Sequence, residues 1–455
     1  MKRNNGGMDM TVGSPTKLLV LFAIPMLIGS IFQLMYSMVD TIVLGRFVSA
    51  EALASVGATG STVGMIIMWG NAVTNGISIL VSQAWGAKDE ERIRRIVGAS
   101  FSVALTVSLV IGALSVVLAR PLMLLLGTPQ NILEGAVTYI RIVCGVCIAQ
   151  MFYSASAAVL RAIGDSRTPL IFLILCSLMN IALDLLFVLA FENGVAGVAW
   201  ATVISQLTSA ALCCAYMWKK YSMLRFSRSE LRPEKKILKQ LAAIALPMVF
   251  QNTMLTGGQM VISSVINSFG SDIVAAYTVG GKVEQLVTVI VSQVAFSFSV
   301  YSGQNYGAKK YDRIKLGVRR ALGLLAGLTA FSMTVLLVFG RPLALMYVRA
   351  EETAILEAAL SMLRIEAIFM PALVTIWLYN SALRGMGQIR ATVISSILEL
   401  ASKVGFSVVL SRMIGYVGIW YASPLGWVIG LAMSAGYFYF GKWKQRALEA
   451  DAKAA

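Results

Sequence analysis

Residues Leu18–Leu44 read LLVLFAIPMLIGSIFQLMYSMVDTIVL. A stretch this long and apolar is enough to cross a bilayer, which takes about 20 residues. It holds one ionisable group, Asp40, and one proline, Pro25, four helical turns earlier. A charge at bilayer depth costs at least about 2.5–3.5 kcal/mol on insertion scales and is retained mainly where it acts. A proline inside a helix removes a backbone hydrogen bond and marks a bend. The stretch therefore predicts a spanning helix that pairs a hinge with a proton- or cation-binding carboxylate.

Comparable apolar runs recur along the whole chain. Of its 455 residues 58% are hydrophobic and 13% charged, too apolar for a soluble domain of this size. The formal charge of +16 lies in short loops between apolar spans, which argues against nucleic acid as a partner and for the lipid bilayer. The opening MKRNNGGMDMTVGSPT is polar and lacks the apolar region of a cleavable signal. Cys144, Cys147, Cys176, Cys213 and Cys214 all fall inside apolar spans and read as small packing residues. Histidine is absent, so a proton relay here must use carboxylates.

Twelve spans are expected, the first six near 18–44, 54–81, 94–118, 133–160, 168–190 and 194–218. The second six lie near 237–267, 273–302, 316–340, 354–384, 389–411 and 415–440. This predicts an all-α polytopic membrane protein with two six-helix lobes, 18–218 and 237–440. A linker at 219–236 joins them, and tails occupy 1–17 and 441–455. Basic residues cluster after spans two, four, six and eight, as with Arg94, Arg161, Lys219, Arg228 and Lys310. Under the positive-inside rule both termini are cytoplasmic, with the chain in the plasma (inner) membrane.

The halves repeat at an offset near 222. FAIPM at Phe22–Met26 matches IALPM at Ile244–Met248, and SQAWGAKDEERIRR from Ser82 matches GQNYGAKKYDRIKL from Gly303. LRAIGDSR from Leu160 matches LRGMGQIR from Leu383, and GVAGVAWA from Gly194 matches GYVGIWYA from Gly415. An even number of spans per half makes the halves parallel, and transporters so built bind substrate between them.

Within the first half, Asp184 sits one turn after Asn180 on span five, on the same helix face. Counting at about 1.5 Å per residue puts Asp40, Asp184, Asn180 and the span-six Thr202 at similar depth in the outer half of the membrane. Two carboxylates, an amide and a hydroxyl suit a proton, or a Na⁺ held at Asp40, Asp184 and Asn180; no other metal is expected. The second half carries Lys282, Glu284, Arg364, Glu366, Glu399 and Lys403 within spans, three of each sign. Glu399 and Lys403, four apart, predict an ion pair in a structural network. GxxxG spacings at Gly60/Gly64, Gly323/Gly327 and Gly426/Gly430 predict close helix approach.

The doubled QxxGAK, the doubled LRxxG and the paired prolines resemble the multidrug and toxic compound extrusion (MATE) family over nearly the whole chain, in its prokaryotic DinF-like branch. The resemblance implies a cation-coupling site at Asp40, Asp184, Asn180, Thr202 and Tyr139, with Pro25 as the bend. The acid that the NorM-like branch carries on span seven is missing here; that span offers Gln251, Asn252 and Gln259 instead. Tyr36, Met35, Phe152, Gln251 and Gln259 are candidates for a substrate cleft, where adaptable side chains suit varied ligands. The implied function is a secondary active multidrug exporter. It would antiport lipophilic or cationic xenobiotics against H⁺ or Na⁺ by alternating access between two lobes. It would use no cofactor and work as a monomer. A lipid-linked precursor flippase of the same superfamily and a membrane channel are the alternatives. No GxxxxGK[ST], HExxH or GxSxG occurs, which disfavours an ATP-driven pump and an enzyme.

Overall fold

The computed structural model describes residues 7–191, 193–227 and 229–454. Residues 1–6 and 455 of the expected tails, and Arg228 of the basic linker, lie outside them. The described chain is helical and contains no strand. In order come α1 (Pro15–Val43), α2 (Ala50–Gly86), α3 (Glu90–Leu125), α4 (Gln130–Val143), α5 (Ile148–Ala162), α6 (Arg167–Leu185) and α7 (Gly194–Lys220). Then follow α8 (Lys235–Asn267), α9 (Ser271–Gly307), α10 (Tyr311–Ala344), α11 (Thr353–Gly385), α12 (Ile389–Ile414), α13 (Val417–Phe440) and α14 (Trp443–Ala454).

Ten of these elements are long and apolar enough to cross a membrane. An eleventh span is the pair α4 and α5, bent by 47° at Cys144–Cys147. α8 has the length of a twelfth but does not meet the same apolar standard; it carries Gln251, Asn252 and Gln259. Counted with the others it completes the two sets of six that the repeat predicts.

Two compact units form, and their boundaries fall at the paired prolines. The first lobe contains Ile24–Leu246, joined by residues 7–9; the second contains Met10–Ala23 and Pro247–Ala455. The leading turns of α1 therefore belong with the second lobe, and those of α8 with the first. The tail is held accordingly. Met10, fully buried, donates its N–H to Gln304 Oε1 at 2.8 Å and accepts from Asn305 Nδ2 at 3.1 Å. Arg313 donates to the Gly13 carbonyl at 2.7 Å. The glutamine of the second QxxGAK element thus anchors the start of α1.

The repeat is also visible in backbone conformation. Lys88 and Lys309, the lysines of the two GAK turns, both adopt a left-handed conformation, φ 58° and 59°. Each follows a long helix whose last carbonyls it and its neighbours satisfy: Asp89 N–H bonds the Ala84 carbonyl and Lys310 N–H the Asn305 carbonyl. Gly164 and Gly387, the glycines of LRxxG, turn the chain at φ 92° and 76°. At Gly164 the Met8 backbone comes so near that a Cβ would sit 2.4 Å from its carbonyl oxygen.

Inside the second lobe, α9 and α11 run parallel in close contact. A Cβ on Gly280 would lie 2.7 Å from Met362 Sδ, and Ser302 donates to the Ala382 carbonyl at 2.7 Å. Of the three GxxxG spacings, only Gly426/Gly430 makes a close crossing, against α12 at Glu399 and Ser395. Gly60/Gly64 and Gly323/Gly327 have no neighbour within 4 Å, so those two predictions fail. Small residues permit approach without enforcing it.

Candidate functional site

The first lobe brings four of the expected residues together in one cluster, with Asn180, Asp184 and Thr202 buried and Asp40 half-buried. Asp184 is wholly buried on α6, with Asn180 one turn before it. In the amide orientation that satisfies both of its ends, Asn180 donates to Asp40 Oδ1 at 3.0 Å and to Asp184 Oδ2 at 3.1 Å. Its carbonyl oxygen accepts from Thr202 N–H at 3.2 Å. One amide thus ties α1, α6 and α7 to a single point. The Asp40 and Asp184 carboxyls face each other directly. Asp184 Oδ1 is buried and has no hydrogen-bond partner. Burying an unbonded carboxylate oxygen is costly.

Thr202 contributes mainly its backbone. Its hydroxyl donates to the Val198 carbonyl of its own helix at 3.0 Å. Tyr139, on α4, is half-buried within electrostatic range of both carboxyls. Tyr36, expected at the substrate cleft, joins this cluster, interacting with Asp40 and with the Thr202 hydroxyl. Its place one turn before Asp40 was the available signal.

Both carboxylate-bearing helices end in the same unusual way. Past Asp40, α1 passes into a π-helical turn at Leu44–Val48, and past Asp184, α6 passes into one at Leu186–Ala190. Such turns occur often at functional sites. Val43, Leu44, Val188 and Val198 pack together on these turns, placing an apolar cluster next to the carboxyls. Nothing in residue type foretold the π turns.

The other cleft candidates are dispersed. Met35 is exposed on α1. Phe152 stacks edge-on against Phe101 and lines an apolar cavity of about 410 Å³ within the first lobe. Gln251 is buried and donates to Ser396, whereas Gln259, exposed, donates to the Tyr277 hydroxyl at 2.7 Å. Pro25 is buried at the lobe boundary. Cys144 and Cys147 lie at the α4–α5 break as free thiols, and Cys147 donates to the Ser108 carbonyl. In the second lobe Lys282 and Arg364 are exposed. Glu399 and Lys403 do not come into ion-pair contact: the five contacts within 4.0 Å among the described residues all lie elsewhere. That expectation is corrected.

A site asked of sequence alone also missed Asp165. This loop carboxylate, in the first LRxxGD element, accepts from Thr168 N–H at 3.0 Å, Thr168 Oγ1 at 2.7 Å and the Tyr221 hydroxyl at 2.6 Å. Burial, then the bond to Asp165, pushes the Tyr221 phenol well above its ordinary pKa, so it stays a donor. In the second lobe Gln388 holds the matching position and accepts from the Tyr437 hydroxyl at 3.0 Å.

Helices in two lobes, with two facing carboxyls inside the first, suit a membrane transporter. The chain belongs to the MatE family, whose model matches residues 25–186 and 247–432. Both matched segments begin at or beside the paired prolines. Among curated relatives it is similar to a probable multidrug resistance protein YoeA of Bacillus subtilis, 26% identical over 94% of each chain. It is also similar to a probable multidrug resistance protein NorM of Thermotoga maritima, 23% identical over 95% of this chain and 94% of that one. Its fold matches an outward-facing multidrug resistance MATE transporter of the MOP superfamily with TM-score 0.88, at 22% identity and covering 98% and 99% of the two chains. A MATE protein solved in a bent conformation matches equally well, with TM-score 0.88 over 97% of this chain and 98% of that one, at 22% identity.

Proposed function

We propose that the protein is a secondary active exporter of lipophilic or cationic compounds, driven by cation entry at the Asp40–Asp184 pair. It would reside in the plasma membrane as a monomer with both termini cytoplasmic. The observation that carries this reading is the pair itself: two carboxyls facing each other in an apolar lobe, joined by one amide, with one buried oxygen left unbonded. Like charges so close do not both stay ionised without a proton or a cation between them.

Two facing carboxyls beside an amide suit either H⁺ or Na⁺, because the amide can offer them its N–H groups or add its oxygen as a hard ligand. Uptake of a proton removes the repulsion within the pair and lets α1 repack about Pro25, altering access to the bound compound. Release of that proton toward the cytoplasm resets the cycle. The multidrug names of the relatives support small-molecule drugs or organic cations as substrates, and an acidic first lobe suits cations.

The test is drug efflux in everted vesicles with a pH gradient and a Na⁺ gradient imposed separately. Uphill drug movement under the pH gradient alone is expected. Movement under Na⁺ alone would transfer the reading to sodium, and movement under neither would end it.

A further inference from the structure

The two lobes carry the same site in two chemical versions. Counted from the left-handed glycine that opens each helix, Gly164 before α6 and Gly387 before α12, Asn180 and Lys403 occupy the same rung. Asp184 and Ser407 share the next rung, one turn on. Both helices are regular α-helix throughout this count. Counted from Pro25 and Pro247, Asp40 corresponds to Ile262. Counted from the left-handed glycines Gly194 and Gly415, Thr202 corresponds to Ser423. The second lobe has thus lost both carboxylates of the cluster and placed an amine where the first lobe has its bridging amide.

Two buried acceptors, on α11 and α12, lack a partner. Glu366 is 4% exposed and its Oε2 has no hydrogen-bond partner; Ser407 is wholly buried and its Oγ has none either. Glu284 stands opposite Glu366. The parallel contact of α9 with α11 pairs Gly280 with Met362, and each glutamate is one turn further along its own helix. Lys403 acts electrostatically on Glu284, Glu366 and Glu399, and Arg384 acts on Glu399 alone. Glu399 and Ser407 lie one turn to either side of Lys403 on α12. An ammonium has three donors and no acceptor, on a flexible four-carbon stem. Glu366 Oε2 and Ser407 Oγ are acceptors it would complement; in this conformation its Nζ bonds neither and lies beyond 4.0 Å of the described carboxylates.

We propose that the second lobe carries its cation covalently: the Lys403 ammonium serves as the resident cation in that lobe's copy of the site. A lobe with a tethered cation takes none from solution, so ion coupling is confined to the first lobe. This second consequence rests on the function proposed above; the tethered cation does not.

Chemical rescue separates the two. Lys403→Ala leaves a cavity that n-propylammonium restores atom for atom. In detergent at fixed pH and ionic strength, propylammonium chloride should raise the melting temperature of purified K403A saturably, by several degrees. It should leave the parent protein unchanged. Tetramethylammonium, too bulky, and propan-1-ol, isosteric but neutral, should have no such effect. Equal rescue by propan-1-ol would show a filled hole and overturn the proposal, as would a folded K403A that ignores propylammonium. Should K403A be recovered only when purified with propylammonium, the proposal is upheld; recovery with propan-1-ol instead overturns it. Lys403→Met/Glu366→Gln, which removes both charges while keeping volume, provides the remaining arm. It should fold and show no propylammonium response, and a response undiminished in it would overturn the proposal. A failure of proton-driven efflux in vesicles leaves all of these outcomes readable.

Discussion

At the scale of single residues, the first lobe concentrates its chemistry in Asp40, Asn180 and Asp184. Asp40→Asn removes one carboxyl of the pair while keeping its shape and an oxygen facing Asn180. Coupled efflux should be abolished, with expression and melting temperature close to the parent's. Normal drug resistance in cells making the variant at parental level would contradict this. Asp165 is a carboxylate of another kind. It accepts three hydrogen bonds at a loop, away from the Asp40–Asp184 cluster in sequence. Tyr221→Phe removes one of the three and should lower stability by about 1.5–3 kcal/mol, the usual range for a bond to a charged acceptor. Thermal unfolding reads this, and transport by the surviving folded protein should be normal. Asp184 was legible from sequence because a lone acid in a spanning helix is costly. Asp165 was not, because an acid beside a glycine turn is commonplace and only burial distinguishes it.

At the scale of elements, the prolines and the left-handed turns govern the helices. The lobe boundary falls at Pro25 in α1 and at Pro247 in α8, so each helix belongs to two compact units. Pro25→Ala restores a backbone hydrogen bond at that boundary and should stiffen α1. Drug affinity should persist while transport slows; loss of both, or of neither, would argue against a hinge. Lys88 is exposed and left-handed, a conformation that costs a residue with a Cβ about 1 kcal/mol. Lys88→Gly should therefore stabilise the protein by about 0.5–1 kcal/mol in thermal unfolding, with activity unchanged. The number and order of spans were legible because apolar runs of bilayer length are hard to mistake. The π-helical turns past Asp40 and Asp184 were not, since a one-residue widening leaves no mark on hydropathy. The exchange of leading turns was equally hidden: it depends on tertiary contacts such as Met10 with Gln304.

At the scale of the whole molecule, duplication followed by divergence explains why the sequence signals the first-lobe site better than the second-lobe one. The acids of the first lobe stand alone, whereas those of the second come with bases and read as ordinary pairs, although Glu399 and Lys403 are not in contact. On the proposed antiport, occupancy of the cation site opposes occupancy of the drug site, and linkage makes that measurable. If drug and proton bind with opposing preference, each weakens the other by the same factor. The sign follows: lowering the pH loads the Asp40–Asp184 pair and so lowers drug affinity, and raising it restores affinity. With one proton exchanged, the dissociation constant should rise about tenfold per pH unit on the acid side of the transition and level off on the alkaline side. The measurement is equilibrium binding of a fluorescent organic cation to purified protein across a pH series at constant Na⁺. Asp184→Asn should flatten the profile, because a single remaining carboxyl no longer shares a proton with a neighbour. Lys403→Met should leave the slope at one proton, since its lobe is proposed to stand outside the exchange. A flat profile in the parent protein would assign coupling to Na⁺, and repeating the series in Na⁺ at constant pH would then show the missing slope.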